Sequence, residues 1–213
     1  NLKYSLFLVY YGFGSDYWSH LADNANLSQY GFIEVISATP KEPYYPLMHI
    51  QVAVNAIITN TPIKDATNFA IIIPLVISSV CVFLVARNVI SAKAGLLSVM
   101  IVNITDYHTY WGAAPQTTTY GICLYYFLIL FIFQAATANS NRKTWISLTI
   151  LFIPVLILAH AVSSFIALIS ILGLIIGSFL YRKSFGNHAG IFPPLIVLFL
   201  YGIVLLQHWF VAL

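Results

Sequence analysis

Long apolar stretches separated by short polar breaks run through most of the chain. A helix crossing the hydrocarbon of a bilayer needs about 20 mostly apolar residues. The runs at 67–86, 119–138 and 191–213 meet that length, and residues 2–13 read as the end of an earlier span. The run at 94–104 is short but can extend through the polar residues that follow it. Residues 145–181 are too long for one crossing, and their polar break at His160, Ser163 and Ser164 predicts a tight hairpin between spans at 145–159 and 161–181. Pro74 and Pro154 fall inside spans and predict kinks. One apolar segment behaves differently. Residues 46–58 open on a proline suited to a first helical turn. As a helix they reach roughly 20 Å, short for a crossing, and His49, Gln51 and Asn55 interrupt them. They predict a helix lying in the membrane interface. The pattern therefore gives an all-α integral membrane fold of about seven spans, with a long first loop carrying interfacial helices.

Charge orients these spans. With residues 67–86 as the second crossing, Lys3, Arg87, Lys93, Arg142, Lys143, Arg182 and Lys183 fall on one side. By the positive-inside rule that side is cytoplasmic. Asp16, Asp23, Glu34, Glu42 and Asp65 then lie in a first external loop at 14–66, and Asp106 lies in a second at 105–118. Only Lys41 and Lys64 are basic and external. If 46–58 crossed instead, the Lys64-Asp65 turn would share a side with the basic loops, and the Asp16 loop would face away from Asp106.

Composition agrees with this reading. The 213 residues are 60% hydrophobic and only 7% charged, with a mean hydropathy of +0.88. A soluble domain is about a quarter charged, so the surplus apolar surface here must face lipid. The net charge of +3 comes without a basic run or an aromatic–basic weave, and nucleic acid is not an expected partner. Cys81 and Cys123 lie inside apolar runs and read as small buried hydrophobes. The chain opens on Asn1 and closes inside an apolar run at Leu213, so the single transmembrane domain at 1–213 is expected to belong to a longer protein.

Candidate chemistry gathers on the external side. Gly14-Ser15-Asp16-Tyr17-Trp18-Ser19-His20 follows the first span, and a helix starting there would put Asp16 and His20 on one face at i and i+4. Asp106-Tyr107-His108 stands where the third span emerges. Carboxylates and imidazoles together suit a divalent cation, Mg²⁺ or Mn²⁺, with Zn²⁺ as a further choice. His160 ends a span on the same side, and His49 sits on the polar face of its short helix. Each cluster also has a plain structural explanation. Ser15-Asp16 can cap a helix, Asp106 can end a span in water, and Tyr107, Tyr110 and Trp111 fit an interfacial aromatic belt. His188 and His208 read as structural. Asn26-Leu27-Ser28 and Asn103-Ile104-Thr105 are glycosylation triplets, which also arise by chance.

The order of these features resembles the GT-C superfamily of membrane glycosyltransferases. This group includes oligosaccharyltransferase catalytic subunits and the polyprenyl-phosphate-sugar-dependent mannosyl- and arabinosyltransferases. Pro43-Tyr44-Tyr45-Pro46-Leu47-Met48-His49 is similar to the turn that opens the family's second interfacial helix. Arg87-Asn88-Val89-Ile90-Ser91-Ala92-Lys93-Ala94-Gly95-Leu96-Leu97 is similar to its cytoplasmic turn into the third span. Asp106-Tyr107-His108 falls at its second acidic motif, as Asp-x-His where Asp-x-Asp or Asp-x-Glu is usual, and one proline stands where many members have two. The resemblance covers essentially the whole chain. It implies sugar transfer from a polyprenyl-phosphate donor to a glycan, lipid or protein acceptor on the extracytoplasmic face of a multi-pass membrane protein. Asp16 would be the base or a metal ligand. Asp106 and His108 would hold metal or donor phosphate. His20, His49, His160 and Tyr45 would contact substrate.

Two other functions stay open on sequence alone. A transporter would place ionisable groups near the bilayer midplane, and the middles of these spans carry none. A non-catalytic membrane subunit, binding a partner or lipid, would show the same loops without the chemistry.

Overall fold

A computed structural model describes residues 15–31, 45–105, 116–137, 140–185 and 192–212. Eight helices and no strand occur among the described residues: α1 (Ser15–Tyr30), α2 (Leu47–Thr59), α3 (Ile63–Val89), α4 (Ala92–Ile104), α5 (Thr117–Thr137), α6 (Arg142–Ala159), α7 (Ala161–Phe185) and α8 (Phe192–Ala212). Of these, α3, α5 and α6 are long and apolar enough to cross a membrane. The expected spans at 67–86, 119–138, 145–159, 161–181 and 191–213 fall on α3, α5, α6, α7 and α8 in turn. The stretch at 94–104 falls in α4, which has 13 residues. The span expected at 2–13 lies outside the described residues.

Local chemistry sets the boundaries. Gly31, at φ +78°, ends α1 in the left-handed region that glycine enters without strain. Pro46 precedes α2 and Asn60 ends it, at φ 51°, a left-handed cap that asparagine tolerates. Pro62 follows at once and starts α3, so α2 turns into α3 across three residues. Lys64 and Asp65 lie in the first turn of α3, ahead of the expected span at 67–86. A carboxylate there complements the positive end of the helix dipole. Ser91 caps α4 by accepting from the Ala94 N–H at 3.2 Å. Pro74 and Pro154 sit inside α3 and α6.

The break inside the longest apolar run is a single residue. His160 is extended, at φ −168° and ψ 129°, between α6 and α7. Its ring acts as the cap of α7. Nδ1 accepts from the Ser163 N–H at 3.2 Å, and Nε2 lies 3.1 Å from the Thr118 hydroxyl on α5. Gly121, one turn further along α5, makes room for this hairpin. A methyl group there would lie 2.5 Å from His160 Cβ and 2.7 Å from Ser163 Oγ.

Helix α3 is apolar on its outer face, where Phe69, Ile73, Val76, Ile77 and Val80 are exposed. Its buried face carries Thr67, Asn68 and Ser78. Water would favour the opposite arrangement, and an apolar stripe of this kind suits lipid. Polar side chains bond across helices: Asn103 Nδ2 to Ser79 Oγ at 3.3 Å, Tyr125 to Ser170 at 2.9 Å, and the Tyr201 hydroxyl to the Ser164 backbone carbonyl at 2.8 Å. Asn103 also donates to the Val99 carbonyl within α4 at 2.9 Å. Its amide nitrogen is thus engaged inside the bundle, which argues against glycan attachment at that triplet. Both cysteines are free and buried.

One core runs through the bundle, from Met48 and Val52 on α2, past Ile71 on α3 and Leu128 on α5, to Tyr201 on α8. Helix α5 packs against α3, α6, α7 and α8. Helix α2 closes one end of the bundle. Gln51 accepts from the Tyr120 hydroxyl at the start of α5, and Tyr45, just ahead of α2, meets His208 near the end of α8.

Gly121→Val should overpack the α6–α7 hairpin and cost about 1–3 kcal/mol. Gly173→Ala, with nothing within 4 Å of the added carbon, should leave stability unchanged or slightly raised. Thermal unfolding of the detergent-solubilised protein checks the pair.

Candidate functional site

Helix α1 puts His20, Asp23 and Asn24 on one face by their i, i+3, i+4 spacing. All three are buried, His20 at 6%, Asp23 at 8% and Asn24 at 0% exposure, because that face packs on α2 and on the start of α3. The opposite face carries Trp18, which is half exposed. Helix α2 contributes His49, fully buried beside Met48 in its first turn.

A relay of hydrogen bonds fixes these side chains. The Thr67 hydroxyl donates its single proton to the Ile63 carbonyl at 2.7 Å, so toward Asn24 it must accept. Asn24 Nδ2 donates to it at 3.0 Å. The Asn24 amide is thereby oriented with Oδ1 toward His49, and Oδ1 lies 2.7 Å from His49 Nδ1. An amide oxygen only accepts. Nδ1 of His49 therefore carries a proton. The His20 and His49 rings lie 5.3 Å apart between centroids, tilted by 40°. One nitrogen from each ring and one Asp23 carboxylate oxygen all fall within 4.8 Å of one another.

The residues expected from sequence divide as follows. His20 and His49, 29 positions apart, come together. Asp16 sits on the α1 backbone one turn ahead of His20, at the expected i, i+4 spacing; its side chain lies outside the described residues, as do Asp106 and His108. His160 is placed in the α6–α7 hairpin, with its described bonds to Thr118 and Ser163. Tyr45 is half-buried edge-on against His208, 5.3 Å between ring centroids, and burial pushes its phenol above the ordinary value. Asp23, Asn24 and Thr67 were not singled out by sequence. The spacing of His20, Asp23 and Asn24 was the available signal for two of them, and Thr67 gave none.

Two imidazoles and one carboxylate form a mixed nitrogen and oxygen donor set. Such a set suits Zn²⁺, Mn²⁺ or Fe²⁺, whereas Mg²⁺ prefers oxygen and retained water. Toward the C-terminal ends of α1 and α2, away from His20 and His49, lies a polar cleft of about 320 Å³, lined by Ser28, Gln29 and Thr61 among others.

Thr67→Val removes the acceptor that orients Asn24 and should destabilise the protein by about 1–3 kcal/mol, the cost of a buried unpaired donor. Thr67→Ser keeps the hydroxyl and should cost clearly less, as read by thermal unfolding. No protein-family model, no curated protein and no solved structure matches this chain.

Proposed function

We propose that the chain is a multi-pass membrane glycosyltransferase of the GT-C type. It would transfer a sugar from a polyprenyl-phosphate donor to a glycan, lipid or protein acceptor at the extracytoplasmic face. The observation that supports this reading is the placement of α1. This helix opens at Asp16 and packs its polar face on the short helix α2, at the end of the apolar bundle where α3 and α5 begin. A carboxylate at that level would stand where a lipid-borne phosphate meets water.

The chemistry follows from that position. An acceptor hydroxyl must lose a proton as it attacks the sugar, and Asp16 is the proposed base. The departing phosphate must be neutralised, and Asp106 and His108 are proposed to do so, directly or through a divalent ion. The polyprenyl tail would lie along exposed apolar faces such as that of α3. Seven spans complete this arrangement, with residues 2–13 and an extended 94–104 segment as crossings beside the five expected on α3, α5, α6, α7 and α8.

A second reading, a non-catalytic membrane subunit, draws on one observation: Asn24 and Thr67 bond across helices and hold them together. One assay separates the two. Membrane vesicles holding the full-length chain should turn over a polyprenyl-phosphate sugar. Asp16→Asn and Asp106→Asn should each lower that rate by roughly 10²–10⁴-fold, with expression unchanged. Wild-type rates in both variants would overturn the proposal. Absence of turnover together with loss of complex assembly in loop variants would favour the subunit.

A further inference from the structure

We propose that His20, Asp23 and His49 form a zinc site that staples α1 to α2. The site is separate from the carboxylates assigned to sugar transfer, and it stands whether or not that assignment holds.

Three observations carry it. First, the donors converge. Two come from adjacent turns of α1 and one from α2, and their ligand atoms lie within 4.8 Å of one another. A tetrahedral zinc with bonds of about 2.1 Å holds its ligand atoms about 3.4 Å apart. Shifts of the ligand atoms by about 1 Å would close the set. Second, all three side chains are buried, His49 completely. A divalent ion there would match the charge of the buried carboxylate.

Third, the surroundings of His49 are those of a metal-bound histidine. A ligating imidazole coordinates through one nitrogen and donates the N–H of the other to a fixed acceptor, which sets its tautomer and ring orientation. Asn24 Oδ1, 2.7 Å from Nδ1, is that acceptor. Its own orientation is imposed by Thr67, and that of Thr67 by the Ile63 carbonyl. With a proton on Nδ1, His49 would coordinate through Nε2. Three protein ligands leave a fourth position for water or another oxygen ligand. The ion would lock α1 in place and with it Asp16, one turn away.

The test uses the full chain, purified through a tag free of histidine, stripped with a chelator and titrated with Zn²⁺ alone. Wild type should take up one equivalent and unfold at a higher temperature with zinc than without. His20→Ala and His49→Ala should abolish stoichiometric uptake. Asn24→Leu, which removes the acceptor but no ligand, should weaken binding by roughly 10–100-fold. Asn24→Asp, which still accepts from His49 Nδ1, should bind close to wild type. Where the alanine variants do not fold, the two Asn24 variants and the visible spectrum of Co²⁺-loaded wild type decide. Folded wild type that takes up no zinc, or equal zinc affinity in Asn24→Leu and Asn24→Asp, would overturn the site.

Discussion

The hydrogen bond between His49 and Asn24 joins segments 25 residues apart, and the bond from Asn24 to Thr67 joins segments 43 apart. Between them they fix three helices. Each partner is fully buried, so none can exchange its bond for one to water. Away from water an unmade bond costs the full desolvation of the group, and the angle between α1, α2 and the start of α3 is therefore held by direction as well as by packing. Apolar contact alone would permit sliding. A relay with one permitted direction of donation does not.

The same end of the molecule collects further polar devices. Tyr120 reaches Gln51, His160 caps α7 and touches Thr118, and Tyr45 stands against His208. Further along α3, the bond to α4 among the described residues is a single pair, Asn103 with Ser79. This gradient separates a hydrophobic body, whose helices pack by shape, from a polar end organised by hydrogen bonds. Helix α2 belongs to both. Met48 and Val52 enter the core while His49 and Gln51 bond at its margin.

Much of the body is legible in the chain. The run at 145–181 exceeds one crossing and contains one polar break, and the break is where α6 gives way to α7. The proline at 46 and the three polar interruptions after it mark α2 as short, and it is. Helix α3 begins four residues before the apolar run, since Lys64 and Asp65 are helical without being hydrophobic. The polar end is harder to read. Periodicity places His20 and Asp23 on one face, but only the packing of α1 on α2 brings His49 between them. Thr67 looks like the first residue of a span, and its role depends on Asn24, which looks like a loop residue. Contacts between residues 25 and 43 positions apart leave no trace in local pattern. Asp106 and His108 lie outside the described residues, and their relation to Asp16 rests on topology.

The single-residue link at His160 has a consequence for movement. Two helices joined by a longer loop can slide, tilt or enter a bilayer one after the other. Here the chain has no slack: the residue that ends α6 also caps α7, and the same ring touches α5. Displacing either helix along its axis would drag its neighbour and break the cap. Helices α6 and α7 thus act as one mechanical part.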